Sequence, residues 1–209
     1  MKKIIGITMG DPAGIGPEIS LKAFAKPALY DHCRPLLVGD QSVVDYYLAK
    51  HPELALKVNS IELPKEGMYT FGTIDLIDLK KVDMTSFLIG EVSKTGGDAA
   101  FQYVKKVIEL ALAEEIDATV TNPLNKEAMN AAGHHYAGHT EIYADLTDTD
   151  KYTMMLADGN LRVVHVSTHV SLREACDRAT KQRVLDVIRI ADKACKDLGI
   201  ENRGSLLLG

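Results

Sequence analysis

Residues 3–18 read KIIGITMGDPAGIGPE, an apolar run that passes into a cluster of turn-forming residues and then into proline and glutamate. The run Lys3–Met9 is rich in isoleucine and threonine, which is typical of a buried strand. Residues 10–16 contain three glycines and predict a tight turn, because glycine adopts backbone conformations that strain other residues. Pro17 suits the first position of a helix, and Glu18 complements the positive end of the helix dipole. The chain therefore begins with a strand, a turn and a helix.

The same alternation of strands and helices continues along the chain. Further strands are predicted at 35–39, 54–61, 73–79 and 118–121, followed by a hairpin of strands 152–157 and 161–167. Further helices are predicted at 40–48, 99–111, 125–132, 140–146 and 173–198, the last with a break near residue 180. Asp40 is the predicted cap of the first of these, and Gly96 and Gly97 precede the second. This order predicts an α/β fold with a mainly parallel sheet, in which ligands bind beyond the carboxyl ends of the strands.

The composition excludes several classes of protein. A chain of 209 residues with 46% apolar residues is long enough for one large α/β domain or two small ones. A net charge of −5 creates no overall field that would attract nucleic acid or an anionic membrane, so an anionic substrate would need a local pocket. No window approaches the roughly 18 apolar residues of a membrane-spanning helix. The sparse, unpaired cysteines are typical of reduced thiols and predict a cytoplasmic protein.

The glycine-rich turn invites comparison with phosphate-binding loops. Gly10, Gly14 and Gly16 are spaced four and two residues apart, which matches neither the dinucleotide fingerprint nor the P-loop. The spacing alone therefore favours a tight strand-to-helix connection over a phosphate cradle.

Lys126 lies in the segment TNPLNK, residues 121–126, between a predicted strand and a helix that Asn125 would cap. A cation in the first turn of a helix opposes the helix dipole, so its presence there hints at a bound anion. The alternative is a solvated lysine, and the sequence leaves both interpretations open.

His139 and Thr140 belong to the segment GHTE, residues 138–141, in which Thr140 is the predicted N-cap of a helix. An imidazole, a hydroxyl and free backbone N–H groups could converge there on a phosphate or a carboxylate. The alternative is a structural cap beside an exposed histidine, and the residues alone do not decide between the two.

His169 follows the second strand of the predicted hairpin and precedes Arg173 by four residues. This placement suits a metal ligand at the carboxyl end of a strand, but it also suits a loop histidine bonded to the backbone. One histidine does not hold a metal, because catalytic sites commonly use about three protein ligands. His165, which falls inside the predicted strand, is interpreted as a structural histidine.

Four segments in the same order resemble the 4-hydroxythreonine-4-phosphate dehydrogenase family of pyridoxal phosphate biosynthesis. These are ITMGDPAGIGPE at 7–18, TNPLNK at 121–126, GHTE at 138–141 and THVSLR at 168–173. The resemblance extends from Ile4 to about Ile200. Asn122 and Asn125 make the second segment more similar to the branch that acts on D-threonate 4-phosphate.

The resemblance implies the fold, the reaction and the cofactors. The fold would be an α/β/α sandwich of the isocitrate/isopropylmalate dehydrogenase kind, with this chain as the N-terminal portion of a two-lobed, homodimeric enzyme. The enzyme would use NAD and a divalent metal (Zn, Mg or Co) to oxidise the 3-hydroxyl of a 4-phosphorylated acid, and the β-keto acid would lose CO2. His139 and Thr140 match substrate-binding residues, and His169 matches the first of three metal-binding histidines. Lys126 has no family role and stays a candidate anion contact or base.

The end of the chain departs from the family. The family continues past Asn202 into a strand and a segment with the second metal-binding histidine, whereas residues 203–209 read RGSLLLG and do not match. The sequence therefore predicts a truncated chain with an aberrant tail and with little or no activity of its own. Two alternatives to the dehydrogenase are a non-catalytic fragment that binds a phosphorylated ligand and an enzyme similar to phosphate acyltransferases.

Overall fold

The computed structural model describes residues 2–200 and residue 204. The chain divides into two compact units, Met1–Thr147 and Asp148–Gly209. The aberrant tail predicted at 203–209 lies outside the described residues, apart from Gly204. Within the described residues, no helix combines the length and the apolar character needed to cross a membrane.

The first unit contains a five-stranded sheet in which every pair of neighbouring strands is parallel. Its strands are β1 (Ile4–Thr8), β2 (Arg34–Gly39), β3 (Lys57–Ile61), β4 (Thr73–Asp78) and β5 (Ala118–Thr121), in the order β3-β4-β2-β1-β5. The chain steps from β1 to β2 on one side and later reaches β5 on the other side of β1. The strand order thus reverses beside β1, and in open α/β sheets ligands bind at the carboxyl ends of the strands at such a point. This topology confirms the predicted α/β fold with a parallel sheet.

Among the described residues of this unit, six α-helices accompany the sheet. They are α1 (Gly16–Phe24), α2 (Pro27–His32), α3 (Gln41–Lys50), α4 (Lys94–Leu112), α5 (Lys126–Ala131) and α6 (His139–Leu146). The sequence did not predict α2, because this six-residue helix has no buried residue and therefore no apolar periodicity. Two short 3-10 turns, Pro52–Leu54 and Pro64–Glu66, flank β3, so that strand begins later than predicted.

Two separate apolar clusters stabilise the first unit. The larger one surrounds the sheet and includes the fully buried Leu36, Leu37 and Val38 of β2. The smaller one lies under α5 and α6, where Met129 and Ile142 pack against the predicted apolar stripe of α4. Its buried members are Phe101, Val104, Ile108, Met129 and Ile142. The helices that carry Lys126 and His139 thus rest on α4 through a cluster of their own.

The start of α4 differs from the prediction. The helix begins at Lys94 with Ser93 as its cap, whose hydroxyl accepts from the Gly96 N–H at 3.1 Å. Gly96 and Gly97 therefore lie in the first turn and not before the helix. A side chain at Gly97 would overlap the backbone of Ala128 in α5, so glycine at this position permits the close approach of two helices.

Asp40 has a different role from the predicted one. It occupies the N-cap position of α3, but its side chain makes no capping hydrogen bond. The carboxylate is buried (1% exposed) and accepts from the Tyr103 hydroxyl and from the backbone N–H groups of Lys81 (2.5 Å) and Val82 (3.4 Å). Burial raises the pKa of Asp40, and these three hydrogen bonds oppose that rise. Asp40 thus joins α3 to α4 and to the connection after β4.

In the described part of the second unit, the chain forms the predicted hairpin and two helices. Strands β6 (Met155–Asp158) and β7 (Leu161–Val164) are antiparallel, and α7 (Leu172–Arg178) precedes α8 (Lys181–Asp197). Thr180 separates the helices and caps α8 by accepting from the Arg183 N–H at 3.2 Å, which confirms the predicted break. Strand β7 ends before His165, so the prediction that this histidine lies within a strand was wrong.

Candidate active site

The candidate site lies in the first unit, at the carboxyl ends of the neighbouring strands β1 and β5. Thr8 pairs with Thr121 at these ends, and the loop that follows each strand contacts the other loop. The Asp11 N–H donates to the Pro123 carbonyl at 2.9 Å. Gly10 has a φ of +78°, and a Cβ atom there would lie 2.5 Å from the same carbonyl oxygen, so only glycine fits without strain.

The glycine-rich turn uses its own N–H groups. The Gly14 N–H donates to the Asp11 carbonyl at 2.9 Å, and the Ala13 N–H donates to Asp11 Oδ1 at 2.9 Å. The Asp11 N–H is occupied by Pro123, as described above. These three donors are already paired within the protein, which supports the tight connection that the glycine spacing favours.

Asp11 is a buried carboxylate at this edge of the sheet that the sequence did not single out. Its side chain is only 6% exposed, and burial raises the pKa of this carboxyl group, while the hydrogen bond from Ala13 opposes the rise. A Cβ atom at Gly96, in the first turn of α4, would lie 2.9 Å from Asp11 Oδ1. Its position directly after a buried strand was the signal that could have identified it.

Asn122 is a second buried residue whose contacts the sequence did not predict. It is 9% exposed, and its side-chain Nδ2 donates to Ser20 Oγ at 2.6 Å and to the Gly16 carbonyl at 3.3 Å. Its backbone N–H donates to Thr8 Oγ1 at 3.2 Å. Asn122 therefore joins the loop after β5 to both β1 and α1.

His139 lies at the first position of α6, one residue earlier than predicted. The N-cap is Gly138 and not Thr140, because Gly138 has extended backbone and its carbonyl accepts the first helical hydrogen bond, from Ile142, at 3.4 Å. Burial lowers the pKa of His139, while a hydrogen bond with the backbone of Asn122 opposes this effect. The ring atom Nε2 is shielded from solvent and has no hydrogen-bond partner among the described residues.

Lys126 is exposed and begins α5, which Asn125 caps as predicted by accepting from the Ala128 N–H at 3.0 Å. The Cε atom of Lys126 lies 4.0 Å from the position that a Cβ atom would take on Gly138. The structure thus brings the lysine, predicted as an anion contact, to the start of α6, where His139 and the half-buried Thr140 lie. The Oε2 atom of Glu141 lies 3.6 Å from the same Cβ position on Gly138, so the corner contains a carboxylate as well as a cation, an imidazole and a hydroxyl. Such a mixed set suits a ligand that carries both a negative charge and hydroxyl groups.

His169 belongs to the second unit and is exposed, with a φ of +58° that is uncommon for a residue other than glycine. Arg183 holds the segment before it, because its guanidinium donates to the carbonyls of Val166 and Tyr152, both at 2.9 Å. No group of three or more His, Cys, Asp or Glu side chains that could hold a metal occurs in residues 2–200 and 204. The described residues therefore do not by themselves fit a divalent metal.

Two open cavities of the first unit lie elsewhere, with volumes of about 290 and 230 Å³. Both are lined by Lys81 and Asp83, and neither is lined by Lys126, His139 or Thr140. Their linings mix both signs of charge without a buried polar atom that lacks a partner, so we do not place the candidate site there.

The lowered pKa of His139 predicts that the stability of the folded chain depends on pH. The pKa of His139 is lowered from its ordinary value of 6.5, so the folded state binds fewer protons than the unfolded state between the two values. This contribution to stability is present above pH 6.5 and is lost as the pH falls through the lowered value. Between about pH 7 and about pH 5, we expect the free energy of unfolding to fall less in His139→Gln than in the unsubstituted protein, as measured by urea unfolding. Equal losses would show that His139 does not titrate differently on folding.

The sequence is similar to known proteins over nearly its whole length. The model of the family "Pyridoxal phosphate biosynthetic protein PdxA" matches residues 31–209. A candidate D-threonate 4-phosphate dehydrogenase of Clostridium botulinum is 45% identical over 201 residues, which cover 96% of this chain and 60% of that protein. Another, from Symbiobacterium thermophilum, is 46% identical over 199 residues, or 95% of this chain and 59% of that protein. The chain thus spans about 60% of the length of the curated relatives it matches.

Solved structures show the same relationship. A 4-hydroxythreonine-4-phosphate dehydrogenase from Burkholderia phymatum matches with a TM-score of 0.87 and 40% identity, over 97% of this chain and 61% of that one. The enzyme of the same name from Klebsiella pneumoniae matches with a TM-score of 0.88 and 40% identity, over 95% of this chain and 60% of that one. These matches confirm the α/β fold that the sequence resemblance implied.

Proposed function

Because this chain belongs to the family of the pyridoxal phosphate biosynthetic protein PdxA, we propose that the whole protein is a dehydrogenase of 4-phosphorylated hydroxy acids. D-threonate 4-phosphate is the favoured substrate, since the relatives at 45% and 46% identity carry that name. The second candidate is 4-hydroxy-L-threonine 4-phosphate, which the names of the similar solved structures give. The observation that carries the proposal is the position of Lys126 beside the start of α6, where His139 has an unpartnered ring nitrogen.

In this proposal, three residues of the first unit contact the substrate. Lys126 supplies a positive charge to the phosphate or the carboxylate, which a substrate of this class needs in a chain with a net charge of −5. Thr140 offers a hydroxyl group, and His139 offers a ring nitrogen. Lys126 is also a candidate base.

The remaining parts of the reaction are proposed from the resemblance. NAD, when bound, would take the hydride from the 3-hydroxyl carbon, whose O–H proton passes to a base, and the resulting β-keto acid would then lose CO2. No residue of this chain is assigned to NAD. His169 is proposed as one ligand of a divalent metal (Zn, Mg or Co), but no step is derived through the metal, because the described residues do not complete a site. Homodimeric assembly and a cytoplasmic location stay predictions.

The alternative functions have less support. A fragment that binds a phosphorylated ligand without turnover, or an acyltransferase, does not match relatives that are named dehydrogenases. The acyltransferase would require acyl-CoA chemistry.

The direct test is an assay of the whole protein with NAD and each of the two phosphorylated acids, with and without a metal chelator. We expect NADH absorbance to rise fastest with D-threonate 4-phosphate and to stop rising after chelation.

Lys126→Met should raise KM roughly 10–100-fold, because a hydrogen bond between charged groups contributes about 1.5–3 kcal/mol. Lys105→Met, a change of the same kind at a lysine of α4 outside the site, is the control. Binding of either acid without any NADH would contradict the dehydrogenase assignment.

A further inference from the structure

The connection between α5 and α6, residues 132–138, leads directly into the corner at which the substrate is proposed to bind. We infer that His134 and Tyr136 of this connection are positioning residues, which hold the start of α6 beside Lys126 by stacking on Phe101 of α4. Both would act on the substrate only through the position of the first turn of α6. This inference rests on the proposed function, because it states what keeps the proposed substrate contacts together.

The side chains of the connection alternate in exposure. His134 and Tyr136 are half-buried, whereas His135 and Ala137 are exposed. An extended segment produces this alternation, because its successive side chains point to opposite sides. The backbone N–H of His134 donates to the Met129 carbonyl at 3.0 Å, so the segment begins directly at the end of α5. The connection therefore presents one pair of rings to the protein and its other side chains to solvent.

The two half-buried rings lie nearly parallel to the ring of Phe101. The ring centroids of His134 and Phe101 are 3.8 Å apart with an angle of 14° between the planes, and those of Tyr136 and Phe101 are 5.8 Å apart with an angle of 12°. Phe101 is 7% exposed and belongs to the small apolar cluster with Met129 and Ile142. Stacked rings attract each other beyond the area that they bury. The stack thus joins the connection to the cluster that supports both α5 and α6.

A carboxylate of α4 fixes the His134 ring in this stack. Nε2 of His134 lies 2.9 Å from Asp98 Oδ1, and the Gln102 amide donates to the same oxygen at 3.2 Å. Burial raises the pKa of the Asp98 carboxyl group, but the hydrogen bonds from His134 and Gln102 outweigh this effect, so the pKa is lowered overall. An ionised carboxylate only accepts hydrogen bonds, so Nε2 of His134 is the donor. The ring is therefore held by its face against Phe101 and by its edge against Asp98.

The stacked segment ends next to the proposed substrate contacts. Gly138 follows Tyr136 by two residues, and the Cε atom of Lys126 lies 4.0 Å from the position that a Cβ atom would take on Gly138. The Tyr136 hydroxyl also donates to Asp145 Oδ2 of α6 at 2.6 Å, at the exposed surface. Release of the connection from α4 would let Gly138 and the first turn of α6 move away from Lys126. The stack would therefore affect substrate binding without a direct contact.

The test is His134→Ala in the whole protein, with His135→Ala as the control, because it removes the same ring from the exposed neighbouring position. We expect His134→Ala to raise KM for D-threonate 4-phosphate about tenfold, which corresponds to about 1.4 kcal/mol, and to change kcat less. His135→Ala should stay within about twofold in both. His134→Phe keeps a ring against Phe101 and loses only the bond to Asp98, so its KM should lie between those of the two alanine variants.

Amide hydrogen exchange measures the same effect without turnover. The Ile142 N–H closes the first turn of α6 by donating to the Gly138 carbonyl, and the Val44 N–H closes the first turn of α3 by donating to the Asp40 carbonyl. We expect His134→Ala to speed exchange of the Ile142 N–H about tenfold and to leave Val44 unchanged, because only local opening is altered.

Three results would overturn the inference: an unchanged KM in His134→Ala, an unchanged exchange rate at Ile142, and equal acceleration at Ile142 and Val44. The last of these would show a general loss of stability. The proposed function fails separately, by absence of NADH formation with either acid in the unsubstituted protein. In that case the exchange rates alone decide whether the stacked rings hold the start of α6.

Discussion

Asp40→Ala is expected to lower the free energy of unfolding by about 3 kcal/mol, the largest stability effect that we predict for the first unit. The change leaves the Tyr103 hydroxyl and the backbone N–H groups of Lys81 and Val82 without their acceptor. A buried donor without a partner costs about 1–3 kcal/mol, and removal of a buried carboxylate offsets part of the sum. Urea unfolding of the first-unit core, followed by circular dichroism, measures the difference.

The matched control is Asp45→Ala, which makes the same chemical change at an exposed position of α3 and should alter stability by less than about 0.5 kcal/mol. Asp40→Asn keeps an acceptor oxygen and should fall between the two. If Asp40→Ala and Asp45→Ala were equally stable, the buried network around Tyr103 would not contribute to folding.

His139→Ala is expected to reduce kcat/KM of the whole protein by about 10–100-fold with D-threonate 4-phosphate. The change removes an imidazole that the proposal assigns to the substrate at the corner shared with Lys126, and a hydrogen bond to a charged group contributes about 1.5–3 kcal/mol. Initial rates of NADH formation over a range of substrate concentrations give kcat and KM separately. A fall mainly in kcat would indicate a contact made chiefly in the transition state.

His135→Ala is the control for this change, because His135 is an exposed histidine of the connection between α5 and α6. It loses an identical ring, and we expect its kcat/KM to stay within about twofold of the unchanged protein. A normal kcat/KM in His139→Ala would show that His139 does not contribute to the active site, and only the proposed roles of Lys126 and Thr140 would remain.

Much of the fold could be predicted from the sequence because its signals are local. The segment 3–18 specifies a strand, a turn and a helix within sixteen residues, and α4 repeats its apolar positions at helical spacing. The hairpin and the break at Thr180 were likewise predicted from short segments and are present. Helix α2 escaped prediction because it buries no residue, so its sequence carries no apolar pattern.

The site could be predicted only in part, because its arrangement depends on contacts between distant segments. Lys126 and His139 stood out by residue type, whereas Asn122 looked like one more turn residue after a strand. Its role depends on Ser20, which lies 102 positions away in the chain. Asp40 was misinterpreted for the same reason, since its partner Tyr103 lies 63 positions further on. Such pairs carry no periodicity that a single sequence reveals.

The small apolar cluster under α5 and α6 has a consequence for how this protein can change over evolution. The cluster is distinct from the core around the sheet, so a substitution at Met129 or Ile142 can tilt the helices that carry Lys126 and His139 without disturbing β2. Substrate preference could therefore change by substitutions at interior positions that contact no ligand, while the core around the sheet keeps its stability. A family with more than one substrate would then differ in the packing beneath its active site as well as in the residues that line it.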